Sequence, residues 1–172
     1  MKIEKTRKVI FSALLTAIIC VATFVVQIPI PATGGYVNLC DCFVIISGYL
    51  LGGFYGSLAA GLGSALADVL AGYVQYAPAT FVIKAIMALT AYCIFKALCK
   101  SFGEKLTVVS RIISALTAEV IMVAGYFAYE AVILHYGLSA AASIIPNLMQ
   151  GAVAIVASVI ISAAISKTKF KV

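Results

Sequence analysis

From Val9 to Cys40 the chain carries no charged side chain, and the same holds from Cys42 to Ala67 and, His135 aside, from Ala131 to Ser166. Runs of this length decide the solvent. A helix needs about 20 mainly apolar residues to cross the hydrocarbon core of a bilayer. Only 10% of the 172 residues are charged and the mean hydropathy is +1.15, against about 25% charged residues in a water-soluble domain. The composition excludes an ordinary soluble domain, a disordered tail and a nucleic-acid reader. Six spans use about 120 residues, which leaves short loops and no room for an extramembrane or ATP-hydrolysing domain. Energised work therefore calls for another subunit.

The pattern predicts an all-α fold, residues 1–172 forming a single bundle of six transmembrane helices. The expected spans are Val9–Ile30, Asp41–Phe54, Ser57–Tyr73, Pro78–Leu98, Ser110–His135 and Pro146–Ser166. The first is too long for a signal-peptide core and lacks a cleavage site, so it is expected to stay attached. Pro29 and Pro31 end it; Pro78 sits in a first turn, where its missing N–H costs nothing. The net charge of +6 comes from three clusters. These are Lys2, Lys5, Arg7 and Lys8; then Lys96, Lys100, Lys105 and Arg111; then Lys167, Lys169 and Lys171. With six spans all three clusters fall on one side, and the positive-inside bias puts both termini in the cytoplasm. Gly48, Gly52 and Gly56 recur every fourth residue, and Ser57, Gly61 and Ala65 repeat the pattern. Small residues at this spacing let helices approach closely in lipid. Ala13 and Ala17 form a similar patch near the cytoplasmic end of the first span.

Ionisable residues inside a span cost several kcal/mol, so each calls for a reason. At about 1.5 Å per residue, Lys84, Asp68 and Glu130 lie about 8–9 Å below the outer end of their spans, and Glu119 near the midplane. Tyr126 and Glu130 share a helix face, as do Asn147 and Gln150. Asn38 and Asp41 close the first outer loop, and Tyr73, Gln75 and Tyr76 form the third. Polar groups from several helices thus converge under the outer loops, describing a pocket open to the exterior. A channel needs polar lining through both halves, and the inner half has nothing comparable. Plainer readings stand beside the functional one. Asp41 serves as a helix cap, Asp68 and Lys84 as a structural ion pair, Glu119 as an interhelical hydrogen bond, and His135 as an interfacial residue. Tyr36, Tyr73, Tyr76 and Tyr136 fit both an aromatic belt and ligand-stacking walls. The five cysteines have no paired spacing, so neither a disulfide framework nor a metal site is expected. No cofactor is expected, and no catalytic constellation for an intramembrane enzyme is present. Three acids, Asp41, Asp68 and Glu130, face one base, Lys84. That balance disfavours a phosphorylated ligand and suits a small neutral or weakly cationic ring.

The segment PATGGYVNLCD at positions 31–41 resembles the first-loop signature of the S components of energy-coupling factor (ECF) transporters, although the usual form has glycine where Cys40 stands. GSALADVLAGYVQYAPATFVIK, at positions 63–84, resembles a subgroup of that family, and Ala13 and Ala17 match its AxxxA motif. The resemblance implies a substrate-capturing subunit of a bacterial vitamin importer in the plasma membrane. Its partners are then a transmembrane coupling subunit and two ATP-binding subunits. It implies a loop-1 lid carrying Tyr36, Asn38 and Asp41, pocket walls carrying Lys84, Tyr126, Glu130, Asn147 and Gln150, and a coupling face at Ala13 and Ala17. The subgroup points to hydroxymethylpyrimidine or vitamin B6, with riboflavin also compatible. The alternative is a self-sufficient or proton-coupled carrier of a small neutral or cationic solute.

Overall fold

In a computed structural model, residues 2–103 and 106–168 are described; Lys105, Lys169 and Lys171 of the expected basic clusters lie outside them. Five long apolar helices dominate: α1 (Lys2–Val25), α2 (Asp41–Leu70), α3 (Ala77–Phe102), α4 (Thr107–Ala128) and α5 (Ile144–Lys167). Two short strands, β1 (Ile28–Ile30) and β2 (Gly35–Val37), pair antiparallel between α1 and α2, with Pro29 opposite Tyr36. The first helix stops at Val25 rather than Ile30. Pro29 and Pro31 lack a donor, and each disfavours the helical conformation of the residue before it, so the segment runs extended into the hairpin. Gly34, at φ +63°, makes the turn.

Six separately bounded helices were expected, whereas the second and third expected spans are two arms of α2. The chain breaks from helical geometry at Gly52 alone, with φ 80° and ψ −179°, a conformation open to glycine and strained for other residues. The arms then lie against each other. The Ser47 hydroxyl is 3.0 Å from the Gly56 carbonyl, and Cys40 Sγ is 3.8 Å from Ser64 Oγ. Asp41 thus stands level with the region of Ser64, roughly two turns below the end of the second arm. Asp41–Leu51 is about 16 Å of helix, too short to cross a core of about 30 Å. The β-hairpin makes up the depth. Its irregular backbone is tolerated there because protein packs around it: Ile30, Thr33, Gly35, Val37 and Asn38 are all buried.

The first glycine ridge does not act as a continuous face, because the chain reverses at Gly52, between Gly48 and Gly56. Each glycine instead meets its own neighbour. A Cβ on Gly48 would stand 2.4 Å from the Ala88 carbonyl of α3, one on Gly56 2.5 Å from the Ser47 carbonyl, and one on Gly63 2.6 Å from the Thr16 carbonyl of α1. The core they permit is built of small residues, Ala60, Ala88, Ala91, Ala115 and Ala118, around Ile19, Val44, Ile45, Met87 and Met122. Large apolar side chains point outward instead, among them Phe54, Val120 and Ile160. With Asp41, Lys84, Asp68 and Glu130 buried, the molecule is apolar outside and polar at its centre, as a bilayer solvent demands.

Candidate functional site

A cavity lies under the β-hairpin, where α2, α3, α4 and α5 end. It is lined by Ile30, Gly35, Tyr36 and Asn38 from the hairpin segment, Asp68 from α2, and Tyr76 and Thr80 at the start of α3. Tyr126, Glu130, Asn147 and Gln150 complete it. Glu130 sits on a π-helical turn, Tyr129–Ile133, that continues α4. The space inside, traced by the centre of a water-sized sphere, is about 20 Å³, close to the room one water needs.

Six of the eight expected binding residues line this cavity: Tyr36, Asn38, Tyr126, Glu130, Asn147 and Gln150. Asp41 and Lys84 form a buried ion pair and are not among its lining residues. Asp41 makes no side-chain cap; the residue preceding the helix is Cys40. The expected Asp68–Lys84 pairing gives way to Asp41–Lys84, because the short first arm of α2 brings Asp41 down to the level of Lys84. Gln150 links the pair to the hairpin. Its amide nitrogen donates to Asp41 Oδ2, and its carbonyl accepts the Asn38 N–H at 2.6 Å. Asn38 Oδ1 accepts from the Cys40 N–H at 2.9 Å. Lys84 Nζ stands 5.4 Å from the Tyr126 ring centroid, a cation–π distance, and the Tyr126 hydroxyl is 3.1 Å from Thr80 Oγ1.

The hairpin is fastened at two further points. The Tyr36 hydroxyl donates to Asp68 Oδ1. The Tyr76 hydroxyl lies 2.9 Å from the Thr33 carbonyl and 3.1 Å from Glu130 Oε1, so one proton serves two acceptors. Gly35 lets the hairpin settle here: a Cβ would stand 3.1 Å from that hydroxyl. Burial first, then the neighbouring carboxylates, raise both phenols above their ordinary range. Burial, then Asp41, pushes the Cys40 thiol up to about 12; its Sγ lies 3.4 Å from Asp41 Oδ1. Among the described residues that line the cavity, two buried carboxyl oxygens remain without a hydrogen-bond partner, Asp68 Oδ2 and Glu130 Oε2.

Sequence reasoning underweighted Asp68 and Tyr76 as lining residues and missed Thr80. The signal for Thr80 is its place four residues before Lys84 on the buried face of α3. Glu119 lies on the buried face of α4, within electrostatic reach of Asp41 and Lys84, and also borders a crevice between α4 and α5; the expected interhelical hydrogen bond is not formed, since both its carboxyl oxygens are buried without a partner. Near the other end of the bundle, Tyr49 joins the Ser114 hydroxyl at 2.6 Å and lies 3.2 Å from the Arg111 carbonyl. Ala13 and Ala17 are exposed on the outer face of α1.

The sequence profile of the family "ECF-type riboflavin transporter, S component" matches residues 3–167. The chain belongs to this family. An S component is the membrane-embedded, substrate-binding subunit of an ECF transporter, and the five apolar helices accord with that. The fold agrees with a solved structure described as "Structure and mechanism of the S component of a bacterial ECF transporter". That match has a TM-score of 0.71 and 21% identity, over 95% of this chain and 97% of the other. A stretch of 66 residues is 47% identical to an "Uncharacterized protein in gap 3'region" of Pyrococcus woesei, covering 38% of this chain. The chain spans 44% of the length of that relative.

Proposed function

We propose that this S component captures a vitamin-class heterocycle without a phosphate group, from outside the cell membrane, in the cavity under the hairpin. One observation carries the ligand class. The fully buried side-chain atoms of the lining left without a hydrogen-bond partner are two carboxyl oxygens, Asp68 Oδ2 and Glu130 Oε2, while the nearby cation, Lys84, is already held by Asp41. Such a lining rewards hydroxyl, amino or ring N–H donors and repels an added phosphate. The family description favours riboflavin. The loop and α3 segments that resemble a different subgroup keep hydroxymethylpyrimidine and pyridoxine as candidates.

Tyr36 and Asn38 act in this reading as lid residues. Tyr126, Glu130, Asn147 and Gln150 are the walls, and Asp41 with Lys84 holds the floor. Counting the arms of α2 separately gives six crossings, so both termini share one side. The basic residues at that end favour the cytoplasm. The exposed small residues Ala13 and Ala17 are the contact for the transmembrane coupling subunit, through which two ATP-binding subunits drive import.

The test is equilibrium binding to the purified protein of riboflavin, pyridoxine and hydroxymethylpyrimidine beside their phosphate esters. One unphosphorylated compound is expected to bind, and its ester to bind at least about tenfold more weakly. Preference for an ester overturns the ligand class. Uptake that persists in cells lacking the coupling and ATP-binding subunits overturns the importer reading in favour of a self-sufficient carrier.

A further inference from the structure

Arg111 is 7% exposed, and its Nε is sealed without a hydrogen-bond partner. It stands one turn inside α4, at the end of the bundle opposite the hairpin. Among the described residues its guanidinium forms no hydrogen bond and no ion pair. It lies over the Phe95 ring of α3, 5.7 Å from the centroid, and the same ring packs on Tyr49 of α2 at 4.7 Å. A long cationic side chain at a membrane boundary ordinarily stretches out to water. This one is folded into the seam between α2, α3 and α4, and its terminal nitrogens are the part left unsealed.

Along α4 the nearest described carboxylate is Glu119, about 12 Å of helix away. Asp41 lies with Lys84, about 16 Å of helix before Phe95 on α3. The charged neighbours on α3, Lys96 and Lys100, are exposed cations. The partner this guanidinium lacks is thus an anion, and depth narrows the choice. α4 with its π-helical turn, Thr107–Ile133, has 27 residues and is about 40 Å long, against a hydrocarbon core of about 30 Å. Centred on that core, the helix projects by about 5 Å at each end. Arg111 lies about 6 Å from Thr107, at the level of lipid phosphates. Val108 and Ile112 beside it are exposed, so lipid lies along the same stretch of helix. We infer that Arg111 is a binding site for the phosphate group of an anionic phospholipid. The terminal nitrogens grip two phosphate oxygens as a fork, and Lys96 and Lys100 add longer-range attraction. On the topology proposed above, the lipid belongs to the cytoplasmic leaflet.

Native mass spectrometry of the purified chain tests the site, with titrations of dioleoyl phosphatidylglycerol, dioleoyl phosphatidylcholine and dioleoylglycerol in one detergent. Phosphatidylglycerol is expected to bind at least about tenfold more tightly than dioleoylglycerol, with phosphatidylcholine between them because its choline offsets the phosphate charge. Arg111→Gln is expected to lose that preference, while Lys96→Gln or Lys100→Gln lowers it about twofold, the effect of one screened surface charge. Arg111→Lys keeps the charge but not the fork, and is expected to cost about threefold. Equal losses in the arginine and lysine variants mean a diffuse basic surface and overturn the inference, as does a preference that survives Arg111→Gln. Should Arg111→Gln fail to fold, an unchanged preference in Arg111→Lys overturns it alone. Displacement by sn-glycerol 3-phosphate at the lipid's own concentration makes the ligand a soluble phosphate and overturns the lipid assignment. Glu104, the nearest acid in the sequence, lies outside the described residues. Glu104→Gln is expected to leave the preference within about twofold, and a gain of about tenfold makes that carboxylate the occupant instead.

Discussion

Lys84 and Asp41 stand 43 positions apart in the chain and meet as an ion pair whose side chains are 1% and 0% exposed. Removing one partner strands a buried charge, which typically costs about 3–5 kcal/mol. Lys84→Met and Asp41→Asn are each expected to lower the unfolding free energy in detergent by that amount, while the double variant loses less than the two singles summed. A double-mutant thermal series checks this; strict additivity counts against the pairing.

The Tyr36–Asp68 contact fastens the hairpin through a hydroxyl-to-carboxylate bond. Such bonds are worth about 1.5–3 kcal/mol, so Tyr36→Phe is expected to weaken ligand binding about 10- to 100-fold, chiefly through faster dissociation. Stopped-flow release measures it. Because the Tyr36 phenol is raised above its ordinary range, the protonated form that makes the bond persists past pH 10. Its contribution is present below that pH and is lost only as pH rises further, so release through this contact should be flat from pH 7 to about 10.

Asn147 lines the cavity and lies outside the ion-pair network. Asn147→Ala is expected to reduce affinity with little change in unfolding midpoint. Isothermal titration beside a melt separates the two, and unchanged affinity removes Asn147 from the site.

Gly48 and Gly53 make a matched pair for packing. A Cβ at Gly48 meets backbone, the Ala88 carbonyl at 2.4 Å, whereas one at Gly53 meets the Leu89 side-chain end at 2.9 Å. Gly48→Ala is expected to cost about 1–3 kcal/mol, and Gly53→Ala clearly less, since a side chain moves aside more readily than a helix backbone. Melting curves in one detergent decide it.

Ala13→Trp and Ala17→Trp add bulk to an exposed helix face. Ligand binding to the isolated subunit is expected to survive while uptake in the assembled transporter fails. Equal loss of both measurements places these alanines in the fold instead.

Legibility in the sequence followed the strength of each physical constraint. Long apolar runs dictated helices, since backbone groups in lipid have no other partner, and α3, α4 and α5 lie close to their expected bounds. Isolated Asn, Gln, Tyr and acidic residues in those runs identified most of the cavity lining, because each is costly anywhere else. The reversal at Gly52 was less legible: a glycine at a four-residue step reads equally as packing and as a turn. That one residue sets the depth of Asp41 and so the pairing of Lys84. Glu119 was placed by helical periodicity, which put it on the buried face of α4 and could not tell that it finds no hydrogen-bond partner there.

The cavity under the closed hairpin is narrow, close to the room one water needs. Under the proposed reading the Tyr36–Asp68 and Tyr76–Thr33 contacts hold the hairpin over the site, so capture there begins with the hairpin swinging away and the opening rate becomes a ceiling on association. Observed binding rates should level off at high ligand concentration, and variants that loosen the hairpin should raise that plateau even as they shorten residence.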